Sequence, residues 1–379
     1  MEKELIVYEP NMNSSPHSEI NTGLLSVFEK VFPRHIKFFY ADKRHIKYLK
    51  RKRDITVWDV RYLKTFDYTP ILFLLNDIFL ILKIRKILKR HKNANAIFFF
   101  LGIMPLAQNY LSKYNTKHKR NITICLHGQM EAYLENTAIG FSKHYYRISK
   151  KSFSQDDNIK YLIFGESIKE KIKFLFRDEN KTLVIDQPYI FDKNIIRNPT
   201  ANNNIILGII GRADKTKNIK ELFNLIEIIK DEILNNRITI KIIGKFEYDY
   251  PKKYEGLFTY YTNRLEQDVF DRELNSVDFA LSFTGKDYYK ATPSGVFFDC
   301  IKWEIPLITL HNDFTDYYFN KYGAMGKSFN STSEMGMWIT NDLVVKGIAA
   351  FINEANFNFK KVKEAISLNS LAEILSSQL

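Results

Sequence analysis

Short apolar runs alternate with helix-like segments along nearly the whole chain, and this alternation constrains the fold more than any other feature. The stretches "KELIVYEP" (3–10), "HIKFFY" (35–40), "DITVWDV" (54–60), "NAIFFFLG" (95–102), "NITICLHG" (121–128), "IKYLIFGES" (159–167) and "KTLVIDQPYIF" (181–191) are rich in Ile, Val, Phe and Tyr. Between them lie helical patterns, among them "SEINTGLLSVFEKVF" (18–32), where Ser18 is a candidate N-cap, and a helix over 104–114. A strand that is apolar at almost every position is buried on both faces, and parallel sheets covered by helices bury strands that way. The fold class is therefore α/β, with doubly wound parallel sheets.

The alternation is interrupted once. "IIRNPTANNN" (195–204) is polar and turn-forming with no apolar period, and beyond it the pattern restarts with "IILGIIG", "NIKELFNLIEIIKDEIL", "RITIKIIG", "DVFDRELNSV", "DFALSF" and "PLITL". At 379 residues the chain is too long for one ordinary core. Two domains are expected, 1–198 and 204–365, with 366–379 a helix that would pack back on the first. Two Rossmann-like sheets joined this way should face a cleft, with ligands outside the carboxyl ends of the strands.

Composition narrows the setting. The two cysteines, Cys125 and Cys300, sit far apart in apolar segments, which fits core thiols in a reducing compartment rather than a disulfide framework or zinc spacing. "MEKELIVYEP" carries charge where a secretory signal needs an apolar core. A cytoplasmic protein is expected, or one peripheral on the inner face of the cell membrane. The formal net charge of +13 accompanies an abundance of Lys, Asn and Ile, so it does not by itself select a partner. "TPILFLLNDIFLILKIRKILKRHK" (69–92) is too short in its apolar part, and too polar at Asn76 and Asp77, to span a bilayer. It reads as a buried helix with a basic exit, or as one resting in headgroups with Lys83, Arg85, Lys86, Lys89 and Arg90 facing an anionic membrane surface.

Two turns in the second half carry the chemistry. In "ILGIIGRADKTKNIKELF" (206–223) a buried strand ends at Gly211, and Arg212, Lys215 and Lys217 lead to a helix starting near Asn218. Glycine permits close backbone approach, and cations beside a helix start make an anion site, for which phosphate is the natural guest. In "ATPSGVFFDCIKWEIPLIT" (291–309), Ser294 and Gly295 open a second helix whose free N–H groups suit another anion. Asp299 follows a little over one turn later; a carboxylate there repels phosphate but accepts hydrogen bonds from a vicinal diol such as ribose. Together these features describe a nucleoside-diphosphate site.

With those motifs in place, the chain over about 205–310 resembles the GT-B glycosyltransferases, particularly the retaining group that uses nucleotide-diphosphate sugars for bacterial surface polysaccharides. The resemblance implies that Gly211, Arg212 and Lys217 contact the donor diphosphate, with Ser294 and Gly295, and that Asp299 holds the ribose. It also implies donor contacts from Arg264 and Leu265 to the base and from Lys290 and Thr292 to phosphate or sugar. In the first domain His127, at a strand end in "ICLHGQMEAY", and Glu131 become the candidate catalytic pair, and His17, Glu19 and Asn21 in "NSSPHSEINTG" the candidate acceptor contacts. The family's first acid is replaced by Ala291, and Trp303-Glu304 replace a small residue and glycine.

The function implied is transfer of a sugar from a nucleotide-diphosphate donor to a saccharide or lipid-linked saccharide acceptor. Ala291 supports an alternative, a catalytically inactive binding or partner subunit on the same fold. No metal is expected, because cations and helix N–H groups neutralise the leaving diphosphate, and the acid pairs "DFTD" (313–316) and "YDY" (248–250) lack a metal-diphosphate context. No cofactor beyond the donor is expected. Nucleic acid is not an expected partner, since charge alone favours it and no recognition element accompanies the charge.

Overall fold

Almost every apolar run identified above is a strand in the computed structural model, which describes residues 3–14, 17–65, 73–134, 145–155, 157–191, 204–285, 290–345 and 349–379. Residues 195–203 of the expected linker lie outside the described residues. The chain divides into two units, one of Met1–Ile190 with Ala291–Pro293 and Ile366–Leu379, the other of Phe191–Lys290 with Ser294–Ala365.

In the first unit the described residues form a seven-stranded sheet in the order β3-β2-β1-β4-β5-β6-β7. Its strands are β1 (Glu4–Tyr8), β2 (Ile36–Asp42), β3 (Asp59–Leu63), β4 (Ile97–Phe100), β5 (Asn121–Leu126), β6 (Ile159–Phe164) and β7 (Thr182–Ile185), and every pairing is parallel. The central strands are apolar and buried, as two covered faces require. The edge differs. β3 starts only at Asp59, because Asp54 accepts hydrogen bonds from the N–H and hydroxyl of Thr56 and turns "DITV" into a loop. The first helix, Ser18–Val31, is preceded by His17 in a left-handed conformation (φ 60°), so His17 rather than Ser18 holds the cap position.

In the second unit the described residues form a six-stranded sheet, β10-β9-β8-β11-β12-β13, again parallel throughout. Its strands are β8 (Ile205–Ile210), β9 (Ile238–Lys245), β10 (Thr259–Tyr261), β11 (Phe279–Ser282), β12 (Leu307–Leu310) and β13 (Gly326–Phe329). Helix Lys220–Leu234 packs Leu222, Leu225, Ile226 and Ile229 onto this sheet. It begins two residues later than the sequence suggests, because Lys215–Lys217 form a short 3₁₀ turn and Asn218 is left-handed (φ 52°).

Both sheets have one point where successive strands step to opposite sides, between β1 and β4 and between β8 and β11. Such switch points leave a crevice at the carboxyl ends of the strands. No helix among the described residues is long and apolar enough to cross a membrane.

Candidate functional site

The switch point of the second sheet holds a recess whose lining includes Arg212, Lys217, Ser282, Thr284, Ser294 and Val296. Three segments create it: the turn after β8, the strand end of β11, and the start of helix Gly295–Trp303. The turn exists because of two glycines. Gly211 has φ +84°, a left-handed conformation that favours glycine, and Gly244 on neighbouring β9 has φ +153°. A Cβ on Gly244 would stand 2.1 Å from the Gly211 carbonyl oxygen, so the missing side chain is the space the turn occupies. The Gly211 N–H donates to the Ile243 carbonyl at 2.9 Å and anchors the turn to β9. The two predicted turns meet: a methyl carbon of Val296 lies 3.9 Å from where a Gly211 Cβ would sit.

Lys217 is the best-placed cation. Burial pushes its ammonium down to about 8, against the opposing pull of the Asp214 carboxylate. A lysine so desolvated gains from an anion that stabilises its charged form. Arg212 is held differently. Its guanidinium is 66% exposed and its Nε contacts Asp214 Oδ2 at 2.8 Å and Glu247 Oε2 at 2.5 Å. The turn is thus less cationic than its sequence suggests, because two carboxylates already engage Arg212.

At the helix start, the Ser294 hydroxyl accepts from the Phe297 N–H at 3.4 Å. The first N–H groups of a helix, here those of Gly295 and Val296, have no partner within the helix itself. Gly295 is exposed, and a Cβ there would meet open space. Asp299 is half-buried in the same helix, and the recess lining does not include it. Arg264 is exposed and Leu265 half-buried in the loop after β10, both outside that lining, as is Lys290. Thr292 groups with the first unit, where its buried hydroxyl has no hydrogen-bond partner among the described residues. Ser282 and Thr284 were not expected from the sequence. Their hydroxyls are 2.8 Å apart at the carboxyl end of β11. Their position just past a strand next to the switch point is the signal that would have found them.

In the first unit the imidazoles of His17 and His127 lie together, ring centroids 4.9 Å apart, and the Phe164 ring is also 4.9 Å from His127. Burial pushes both histidines below their ordinary range, and for His127 the neighbouring His17 adds to the effect. Both are therefore neutral near pH 7. Behind them Asn21 is fully buried, donating to Glu9 Oε2 at 2.8 Å and lying 3.0 Å from His45 Nε2, whose Nδ1 is 2.7 Å from the Ser14 carbonyl. Asn21 orders this cluster from within. Glu19 is paired with Lys52 instead of standing in the open. Glu131, in the 3₁₀ segment Gly128–Tyr133, accepts the Ala291 N–H at 2.6 Å. A recess at this sheet's own switch point is lined by Pro10, Asn11, Thr65, Asn76, Lys83 and Met104.

No protein-family model and no curated protein matches the chain. Solved structures do. The lipopolysaccharide outer core galactosyltransferase WaaB, in an apo form, aligns over 99% of this chain and 100% of its own at 14% identity and a TM-score of 0.62. Anabaena Alr3699/HepE, in complex with UDP and glucose, aligns over the same shares at 14% identity and 0.65. A structure described as trehalose-6-phosphate from E. coli, bound with UDP-2-fluoro glucose, aligns over 99% and 98% at 11% identity and 0.65. With two all-parallel Rossmann-like units and these neighbours, the chain has the GT-B fold of the glycosyltransferases.

Proposed function

We propose that this chain is a glycosyltransferase that moves a sugar from a nucleotide-diphosphate donor to a saccharide or lipid-linked saccharide acceptor, in bacterial surface-polysaccharide synthesis. The observation that carries the reading is the meeting of the Gly211–Lys217 turn with the start of helix Gly295–Trp303 around one recess at a switch point. A diphosphate there would take the Lys217 ammonium and the N–H groups of Gly295 and Val296. As the sugar–phosphate bond breaks, charge grows on the leaving diphosphate, so these contacts strengthen towards the transition state. Arg212 joins by exchanging its carboxylate partners for phosphate. Asp299 is proposed for the ribose, Arg264 and Leu265 for the base, and Lys290 and Thr292 for phosphate or sugar.

Neutral His127, beside His17, suits a group that orients or accepts a proton from an acceptor hydroxyl, with Glu131 as its companion. The reaction is proposed to need no metal. The fold likeness to structures described with UDP and glucose supports a uridine nucleotide as the first donor to try. The test is a thermal-shift and hydrolysis screen against nucleotide-diphosphate sugars. A donor at about 100 times its Kd stabilises by about 2.7 kcal/mol, a readily measured rise in melting temperature. If no donor raises the melting temperature and none is turned over, the proposal fails.

A second reading, an inactive partner subunit, rests on Ala291, which stands where the resemblance calls for an acid and whose backbone N–H is tied to Glu131. Donor binding without any turnover, alongside co-purification with an active transferase, is its expected signature.

A further inference from the structure

Helix Phe73–Arg90 is amphipathic in an unusual sense. Its inner face buries Leu80, Ile84, Ile87 and Leu88. Asp77 is turned inward as well, accepting from the N–H groups of Leu106 and Ala107 at 2.6 and 2.8 Å and from the Tyr145 hydroxyl at 2.7 Å. Asp77 thereby caps helix Pro105–His118, and it is the only acid in the segment. Lys83 also leaves the outer face, donating to the Lys64 carbonyl.

The outer face is apolar at one end and basic at the other. Leu74, Leu75, Ile78, Phe79 and Leu82 are each between 44% and 53% exposed. Steps of three and four residues place them on one stripe, since a helix turns once in about 3.6 residues. The same stripe continues through the exposed Arg85, Lys86 and Lys89. Scattered exposed leucines on a surface are ordinary; five in one stripe that ends in three cations are not.

We propose that this face docks on an anionic phospholipid bilayer, the Leu74–Leu82 turns entering the headgroup–acyl boundary and Arg85, Lys86 and Lys89 meeting lipid phosphates. The apolar end is about 12 Å long at 1.5 Å per residue, far short of a bilayer core, so the helix lies obliquely in one leaflet. The stripe's own charge decides the partner. A second copy docking by this same face would add three more cations and no acid to the contact, whereas an anionic leaflet attracts each basic residue near its surface. The absence of any acid from the outer face of this helix fits the lipid and not a salt-bridged protein interface. Docking here is independent of donor chemistry.

The experiment is co-sedimentation of the full chain with vesicles of phosphatidylcholine alone and of phosphatidylcholine mixed with phosphatidylglycerol, without donor. Binding is expected only to the mixed vesicles and should weaken with salt. Each neutralised cation should lower partitioning about fivefold, and the triple variant Arg85→Glu, Lys86→Glu, Lys89→Glu about a hundredfold or more. The pair Leu75→Ser, Phe79→Ser should lower it at least about tenfold. Circular dichroism of each variant should match the parent, and so should the melting temperature of the charge variant, because Arg85, Lys86 and Lys89 are exposed. Should the apolar pair disturb folding, the charge variant, which alters no buried atom, is decisive alone. Equal binding to both vesicle types, no binding to either, or indifference to both variants overturns the proposal. So does a stable dimer in light scattering that the apolar pair dissociates. In the separate donor screen, absence of turnover by a protein that binds the mixed vesicles would count against the glycosyl-transfer reading only.

Discussion

At Lys217 one burial effect sets a measurable pH dependence. The free protein holds this ammonium at about 8 instead of the ordinary lysine range, because burial costs the charged form more than Asp214 returns. A bound diphosphate favours the charged form and raises that value. Below about pH 7 the lysine is protonated with or without ligand, so nucleotide affinity should be flat. Above about 8 binding must take up a proton, and affinity should fall by up to about tenfold per pH unit. Titration calorimetry with UDP from about pH 7 upward measures this. Lys217→Arg, whose guanidinium stays charged, should remove the slope; Lys217→Ala should weaken binding by about 1.5–3 kcal/mol at neutral pH. A slope that persists in the arginine variant would take Lys217 out of the site. The sequence supplied the cation and its neighbours but not its desolvation, which depends on Ile209, Ile210 and Leu281 arriving from two strands. For the same reason it could not show Arg212 engaged by Glu247, or Asn21 sealed between Glu9 and His45.

Two glycines at the ends of elements separate folding from binding. Gly244→Ala puts a Cβ against the Gly211 carbonyl at a backbone angle that side chains avoid, and should cost about 3 kcal/mol or more in denaturant unfolding. Gly295→Ala meets open space at an ordinary backbone angle, so stability should change by less than about 1 kcal/mol. If a phosphate rests on the start of this helix, that same methyl group should weaken UDP binding. Unaltered affinity in Gly295→Ala would remove the helix start from the site. Elements with a strong apolar signature, β8, β11 and β12 among them, can be read directly from the sequence, because strands buried on two faces tolerate few polar residues. Elements at the margins cannot. Helix Lys43–Lys52 buries only His45, Ile46 and Leu49 among many basic residues, and β13, "GKSF", has one strand neighbour and little apolar character. β13 is specified by what it pairs with, whereas helix Lys43–Lys52 has its three buried residues at helical spacing but too few apolar side chains to stand out among its basic ones.

At the scale of the whole chain, the last helix belongs to the unit that the first residues build. Helix Leu368–Gln378 packs against helix Ser18–Val31 and β7 in the first unit, with Leu371 and Leu375 fully buried. Its Gln378 amide treats β7 as one more strand partner would: Oε1 accepts the Val184 N–H at 2.7 Å and Nε2 donates to the Val184 carbonyl at 2.8 Å. An exposed parallel edge is a site for unwanted pairing, and the side chain covers part of it. Removing either buried leucine leaves a cavity, at about 2–5 kcal/mol each. Leu371→Ala with Leu375→Ala should therefore lower the unfolding midpoint sharply and promote aggregation through the uncovered β7. Gln378→Ala should cost less, about 1–2 kcal/mol for two hydrogen bonds at a half-buried edge, with the melting curve otherwise unchanged. Urea unfolding followed by circular dichroism and light scattering checks both. The proposed donor recess, lined wholly by second-unit residues, should bind UDP as tightly in the Gln378 variant as in the parent; a loss there would mean that the terminal helix acts on binding and not only on the edge of its own sheet.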